Sequence, residues 1–543
     1  MTPTITFHGA AGCVTGFCAE LRTEKARVLV DCGMFQGSKT LKALNYDDFP
    51  FEASGIDAVL LTHAHIDHSG LLPKLMKAGF TGPIYTTAAT RDLCEIMLAD
   101  SGGIQEGEVN DLNRRNQRRG RPLVEPIYTA RDAKRLMPQF RTVKFGEPDV
   151  IAGDLRATWW PAGHILGAGS IAVEIDGEDG PMTLLFSGDL GPGGSEFVAE
   201  PEAPAGFDHL IIESTYGDRD RIATDPASRR RALATELREA HAAGGPLLIP
   251  AFAVERSQEL LMDILAVMDS GEAPAGDVFL DSPLAIRATD VFLERGWNRT
   301  TGLNPFEPLR HSPHLRFLNK PAESDTLDRL KGWHIIMAAS GMCDAGRIRK
   351  HLKRLLWRRE CTVLLSGYQA VGSLGRLLAE GAERVSIQGE EVRVRARVRM
   401  FDAYSGHADA TGLVAWAKAR EPVKGATFIV HGEPLAATGL SGRLAAAGFA
   451  ADRLIIPALD DSYRLTRAGA ETEQAGSRRL APEAASRLDW HNNRAGFLLA
   501  LNAALEQAPD DKAREALLSR LAQALGQGAV DADQGGSRPV PAI

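Results

Sequence analysis

Four side chains of metal-ligand type fall within six consecutive positions of the string THAHIDHSG: His63, His65, Asp67 and His68, directly after the apolar run IDAVLL. Packing imidazoles and a carboxylate this tightly is expensive without a cation to hold them, so the cluster points to a metal centre. His63, His65 and Asp67 alternate, but they follow the strand-like run rather than lie in it. The reading is a turn at the C-terminal end of a strand, with a helix starting near Asp67 and running through HSGLLPKLMKAG, where ligands can converge from both sides.

The same texture extends over the first two hundred residues. ITFHGA, RVLVDCG, IDAVLLTH, GPIYTT, RATWWPAGH, SIAVEIDG and MTLLFSGD read as strands, most of them ending in Gly, Asp or His. Chemically loaded residues at strand ends are the usual arrangement in a layered α/β fold. From about 209 the pattern shifts. HLIIESTYGD reads as a strand and turn, 226–243 as a helix, and GGPLLIPAFAV as a buried strand leading into a helix around ERSQELLMDILAVM. VFLDSPLAI, HIIMAASGM and CTVLLSGY then repeat apolar strand, small-residue turn and helix, the pattern of a parallel α/β sheet. From about 396 to 466 strands bearing His return, in RMFDAYSGHAD and ATFIVHGEP. The order predicts a sandwich over 1–208 and 396–466, an inserted parallel unit over 209–395, and a tail over 467–543. The tail reads as two amphipathic helices, in LDWHNNRAGFLLALNAALEQ and PDDKAREALLSRLAQALGQ, with the last fifteen residues disordered.

The chain has 543 residues, ample for several cores, and its apolar and charged fractions are those of a soluble globular protein. No stretch approaches a membrane span and the start carries no secretory pattern. The six cysteines form no CxxC pair or disulfide-like spacing, which predicts a reducing cytoplasm. A net charge of −8 means that a polyanionic substrate must be held by local basic patches or by metals. Three patches stand out. Arg114, Arg115, Arg118, Arg119 and Arg121 lie in NRRNQRRGRP; Arg347, Arg349, Lys350, Lys353 and Arg354 lie in GRIRKHLKRLLWRR. Arg393, Arg395, Arg397 and Arg399 alternate in VRVRARVR, as on one face of a strand.

Further candidates follow the first cluster in order. His164 in PAGHILGAGS, Asp189 in FSGDLG and His431 in IVHGEP each close an apolar run and precede small or turn residues, which let backbone approach a crowded centre. Together with the first cluster they supply enough nitrogen and oxygen ligands for two cations, with one carboxylate as a natural bridge.

This ordered set closely resembles the metallo-β-lactamase superfamily, and within it the β-CASP branch of nucleic-acid-processing nucleases, the cleavage and polyadenylation specificity factor type. HGAAGCVTG resembles the branch's N-terminal glycine-rich loop. Asp31 in VDCG, HAHIDH, His164 and Asp189 match its first four motifs, and Glu213 in ESTYG, His407 in SGHAD and His431 in VHGE match motifs A, B and C. The resemblance covers roughly residues 1–466. It implies an α/β fold: an αββα sandwich with an inserted parallel α/β (β-CASP) domain, here followed by a helical tail.

The resemblance also implies roles. His63, His65 and His164 would hold one metal; Asp67, His68 and His431 the second; Asp189 would bridge. Asp31 would orient a ligand or the nucleophilic water. The His-rich set favours two zinc ions, with manganese an alternative because oxygen ligands are also present. A hydroxide shared by the two metals would attack phosphorus. His407, oriented and kept cationic by Glu213, would protonate the leaving oxygen. Asp31, Asp67, Glu213 and His407 are thus the expected catalytic residues. Two strand-to-helix turns fit a polyanion: Ser340 and Gly341 in AASGM would present backbone N–H groups with a helix N-terminus behind them, and Ser366, Gly367 and Arg376 in SGYQAVGSLGR would cradle a neighbouring phosphate.

The expected activity is metal-dependent hydrolysis of RNA, single-stranded if the bond must thread between two domains, leaving 5′-phosphate and 3′-hydroxyl ends. RNA is favoured over DNA because motif C is a histidine. Three alternatives stand beside it: a DNA nuclease, a small-molecule hydrolase acting on a lactam, thioester or lactone, and a scaffold that has lost turnover. The inserted domain and the Glu213/His407 pair argue against the small-molecule reading, and no decayed ligand argues for the scaffold. The tail helices leave a homodimer open.

Overall fold

A computed structural model describes residues 2–177, 180–221, 225–296, 302–367, 369, 373–401, 403–473, 479–480 and 510–532, with a few isolated positions between 497 and 508. The chain divides into two compact units, Met1–Arg487 and Leu488–Ile543.

Two sheets form the sandwich of the first unit. One has eight strands, in spatial order Gly469–Thr472, Ser462–Thr466, Thr4–Gly9, Cys18–Arg22, Arg27–Val30, Ala58–Leu60, Ile84–Thr87 and Phe140–Val143. The other has seven: Leu454–Ile455, Thr427–Val430, His209–Glu213, Met182–Phe186, Gly169–Ile175, Leu155–Pro161 and Pro148–Ala152. Their facing sides share one core, in which Ile5, Phe7, Val28 and Leu60 meet Ala157, Trp159, Ile171, Leu184 and Phe428. The alternation Leu155, Ala157, Trp159 puts every second side chain into that core. IDAVLL lacks alternation for a different reason. Ala58–Leu60 pairs in parallel with Arg27–Val30 on one side and Ile84–Thr87 on the other and is buried on both faces. Trp159 ties the two sheets at this point, its indole N–H donating to the carbonyl of Leu61 at 3.1 Å.

A third sheet of six parallel-paired strands, in order Leu315–Phe317, Val278–Leu280, Ile335–Ala338, Leu247–Pro250, Thr362–Leu365 and Arg397–Met400, carries the inserted unit. Two strands shift the edges expected for it at 209 and 395. His209–Glu213 belongs to the sandwich, paired in parallel with Met182–Phe186 and Thr427–Val430. Arg397–Met400 belongs to the inserted sheet, paired with Thr362–Leu365. His209–Glu213 ends in the motif A residue and Arg397–Met400 leads on toward the SGHAD string, so motif order alone could not assign them to a sheet.

Other departures are local. VRVRARVR is not one strand: Glu390–Arg393 closes a hairpin with Arg384–Ile387, and the chain then turns, with Arg395 and Ala396 both donating to the Leu356 carbonyl, before joining the six-stranded sheet. The helix expected from Asp67 is two short ones, Ile66–Ser69 and Leu72–Lys77. In the second unit a helix spans Asp511–Ala532, running into the stretch expected to be disordered; 533–543, and most of the first tail helix expected over 488–507, lie outside the described residues. No helix among the described residues is long and apolar enough to cross a membrane.

Candidate metal centre

The strands ending in Val30, Leu60, Pro161, Phe186, Glu213 and Val430 each deliver their next residues to one edge of the sandwich. There Asp31, His63, His65, Asp67, His68, His164, Asp189 and His431 come together. The approach is close enough to exclude side chains from two turns: a Cβ on Gly33 would lie 1.7 Å from the Asp67 carbonyl oxygen, and one on Gly191 would lie 1.7 Å from that of Gly163. Asp31 and His431 adopt φ of 60° and 52°, conformations that cost a non-glycine residue energy and persist only where the surroundings fix them.

Two cages result. In the first, His63 Nε2, His65 Nδ1 and His164 Nε2 converge with an Asp189 oxygen. His65 Nδ1 lies 3.2 Å from His63 Nε2 and 3.1 Å from His164 Nε2, and Asp189 Oδ2 lies 3.5 Å from each of those two Nε2 atoms. In the second, His68 Nε2 and His431 Nε2 are 3.1 Å apart and His431 Nε2 is 3.6 Å from Asp67 Oδ2. Asp189 Oδ1 faces this cage at 3.3 Å from His68 Nε2. One carboxylate thus reaches both.

The outward nitrogens decide what the inward ones are. His164 Nδ1 lies 2.6 Å from the Gly406 carbonyl, which can only accept, so Nδ1 carries the proton and Nε2 of the neutral ring offers a lone pair inward. His68 Nδ1 makes the equivalent bond to Asp31 Oδ2 at 2.7 Å. His63 Nδ1 meets Thr62 Oγ1 at 3.0 Å and His431 Nδ1 meets Thr215 Oγ1 at 3.2 Å. Burial pushes His63 and His164 well below the ordinary imidazole value and His65 down to about 4, so these rings are neutral. Burial also works against a charged His68, but the Asp189 and Asp31 carboxylates outweigh it and hold a proton there, in place of the positive charge a cation would bring.

Lone pairs pointed at one another, and a buried Asp189 Oδ1 without a hydrogen-bond partner, fit a metal ion in each cage. A tetrahedron with metal–nitrogen bonds of about 2.0–2.1 Å has edges of about 3.3–3.4 Å, close to the separations here.

Asp31 is fully buried and does not face the cages. It accepts from the Thr62 amide and hydroxyl, both at 2.7 Å, and from His68. Thr62 and Thr215 were not singled out in the sequence; Thr62 directly precedes His63, and that adjacency was its only signal. His407 Nδ1 lies 3.1 Å from Glu213 Oε1, which also accepts from the Leu190 amide at 2.7 Å, while Glu213 Oε2 accepts from Thr215. Burial disfavours the His407 cation, but the Glu213 carboxylate wins and raises it to about 8. The His407 ring packs 4.5 Å from that of His164.

The residues expected at phosphates are placed differently. Ser340 and Gly341 sit in a turn after Ile335–Ala338, but the next helix starts only at Ile348, so no helix N-terminus stands directly behind them. Gly341 packs on Phe252. Ser366 is buried and donates to the Pro250 carbonyl at 3.2 Å. Gly367 has a φ of 115°. Arg376 lies in the helix Leu374–Ala379, paired with Glu380 at 2.6 Å. The intervening 368 and 370–372 are outside the described residues.

Three family profiles match the chain in succession: the metallo-beta-lactamase superfamily over 11–230, the Beta-Casp domain over 257–378, and the Zn-dependent metallo-hydrolase RNA specificity domain over 391–454. Ribonuclease TTHA0252 of Thermus thermophilus is 35% identical over 78% of this chain and 92% of its own length. The chain belongs to the β-CASP branch of the metallo-β-lactamase superfamily. An RNase J-like protein of Methanocaldococcus jannaschii is 31% identical over 79% of this β-CASP chain and 92% of its own length. The transcription termination factor FttA of Methanothermobacter thermautotrophicus is 29% identical over 77% of the chain, which spans 65% of that longer protein.

Proposed function

We propose that this β-CASP protein is a ribonuclease that hydrolyses phosphodiesters of single-stranded RNA with two metal ions, leaving 5′-phosphate and 3′-hydroxyl ends. The observation that carries the reading is the pair of cages sharing Asp189 beside the His407–Glu213 pair: a site for two cations with an acid next to it. The names of the relatives, two of them ribonucleases, support RNA as the substrate.

His63, His65 and His164 would hold one ion, Asp67, His68 and His431 the other, with Asp189 within reach of both. The nitrogen-rich first cage favours zinc; the oxygen contribution of Asp67 and Asp189 leaves room for manganese. Such ions neutralise phosphoryl charge and lower the pKa of water toward neutrality. Asp31 and Thr62 fix the tautomers and aim of His68 and His63. His407 enters as the imidazolium, because Glu213 keeps its proton up to about pH 8, and gives that proton to the 3′-oxygen as the P–O3′ bond breaks. Glu213 cannot turn away, since Leu190 and Thr215 amides hold both its oxygens. All six cysteines are free and buried, which supports a reducing, cytoplasmic setting.

End-mapping of products from 5′-labelled and internally labelled RNA, with Asp67→Ala as the inactive control, tests this reading. Fragments bearing 5′-phosphates are expected. Fragments with 3′-phosphates, or intact RNA beside a cleaved chromogenic lactam, would replace it.

A further inference from the structure

The three basic segments differ in how far their neighbours neutralise them. In the second, Arg347 pairs with Asp281 at 2.6 Å, Lys350 with Asp325, Lys353 with Glu390 and Arg354 with Asp328. In the third, Arg397 pairs with Glu239 at 2.9 Å and Arg399 with Glu236 at 2.6 Å, while Arg393 and Arg395 are exposed without a carboxylate at ion-pair distance among the described residues. The first holds the largest unpaired group among the described residues. Arg114 lies 3.5 Å from Asp111, but both are largely exposed, and Arg115 donates only to the Asp111 carbonyl. Arg118, Arg119 and Arg121 are exposed and have no carboxylate within ion-pair distance among the described residues.

These arginines sit at the end of a helix whose beginning contacts the turn that follows His164. The helix Ala88–Arg118 is capped by Thr87, and the hydroxyls of Thr87 and Thr90 donate to the Gly167 carbonyl at 2.7 and 3.0 Å, three residues beyond His164. Its first half is tied to the inserted unit, Asp92 to Arg295 at 2.8 Å and Asp100 to Arg287 at 3.0 Å on the helix Pro283–Arg295. At 1.5 Å per residue the 31-residue helix carries its last turn roughly 46 Å away.

The tip is built rather than loose. Asn113 exchanges side-chain bonds with both the amide and the carbonyl of Val124 at 2.9 Å, Asn116 donates to Pro122, and the Arg121 amide donates to Asn116. Three cations are therefore displayed on a pinned turn of a protein whose net charge is −8. An uncompensated cationic cluster on an acidic protein attracts polyanions locally and positions them through phosphates, without base specificity.

We infer that Arg118, Arg119 and Arg121 form a distal phosphate-binding surface for the RNA strand occupying the metal centre, reached only by strands long enough to span the helix. The inference rests on the ribonuclease reading. At the 3.4 Å phosphate spacing of a stacked strand, the span corresponds to about 13 nucleotides.

The test compares wild type with R118Q/R119Q/R121Q on homopolymeric RNAs of about 5 and about 25 nucleotides, reading kcat/KM against salt. For the long RNA, the slope of log(kcat/KM) on log[salt] is expected to become shallower by about 2, from about 0.7 for each of three lost contacts, so that wild type loses about 15-fold more than the variant between 50 and 200 mM salt. The short RNA is expected to be cut equally by both, and R118K/R119K/R121K to keep the wild-type slope. An unchanged slope, equal losses on both lengths, or a lysine variant that behaves like the glutamine one would overturn the inference while leaving the ribonuclease reading intact. Failure of wild type to cut either RNA would remove that reading instead, and the inference with it.

Discussion

The metal centre and the C-terminal ends of the inserted sheet use the same local device, an apolar strand followed by a small-residue turn, yet they differ in what their polar groups are doing. At the centre, four of the five histidines spend one nitrogen on a fixed outer partner and leave the other aimed inward: His164 on Gly406, His68 on Asp31, His63 on Thr62, His431 on Thr215. At the inserted sheet, Ser366 is spent on Pro250 and Arg376 on Glu380. A functional site is marked by groups whose geometry is fixed but whose chemistry is unspent; a structural turn has spent both.

Substitutions should separate the two regions in graded steps. Asp189→Ala removes the oxygen donor common to both cages and is expected to bring RNA cleavage to the blank rate, with bound metal falling by elemental analysis. A fully metallated Asp189→Ala protein would contradict the shared bridge. His407→Ala is expected to keep its metal but lose ~10²–10⁴-fold in rate, because it removes the proton donor and no donor to a cage; metal loss in that variant would move His407 among the ligands. Thr62→Val leaves all inward nitrogens in place and removes only the outer partner of His63 and one donor to Asp31. A ~10–100-fold weakening of metal affinity, read by competition with a chelator, is the expected result. At the inserted sheet, Arg376→Gln is expected to change neither metal content nor cleavage, and stability by only about ±0.5 kcal/mol. A large loss of RNA affinity would place Arg376 at a phosphate despite its pairing with Glu380.

The contrast also explains what could be read from the chain. The candidate cluster was legible because its members follow strand ends within distinctive short strings, and the sandwich brings parallel strand ends to one edge. Ser340 and Ser366 sat in equally suggestive strings, but nothing local reveals that the Ser366 hydroxyl meets a carbonyl 116 residues away or that nine residues lie between Ala338 and the next helix. Sheet membership failed for the same reason. His209–Glu213 and Arg397–Met400 read correctly as strands, whereas which sheet each joins is decided by long-range pairing. The three arginine strings looked alike, and only their distant carboxylates tell them apart.

His8 extends the comparison to a buried histidine outside the metal centre, held between two carboxylates. It lies in the glycine-rich HGAAG string, buried, with Nε2 3.0 Å from Glu20 and Nδ1 3.6 Å from Asp460, and its ring 5.0 Å from that of Phe51. Arg27 joins Glu20 at 2.5 Å, and Arg479 joins Asp460 at 2.9 Å, so both carboxylates are shared. Burial opposes the His8 cation, but Asp460 and Glu20 outweigh it and hold its pKa at about 9; burial likewise opposes charge on Glu20 and Asp460, yet His8 and the arginines hold each at about 2. A raised histidine contributes stability that is complete below its ordinary value of 6.5 and is lost as pH rises through about 9. Depressed carboxylates contribute above their ordinary values of 4.5 and 3.8 and lose that contribution as pH falls toward about 2. The network is therefore strongest between about pH 4.5 and 6.5. At fixed metal concentration the urea midpoint of the wild-type protein is expected to decline from pH 6.5 to 9.5 more steeply than that of His8→Gln, while RNA cleavage by folded His8→Gln stays at the wild-type level. Equal slopes would mean that His8 is neutral in the folded protein, and lost cleavage would place it with the four histidines whose inner nitrogens remain unspent.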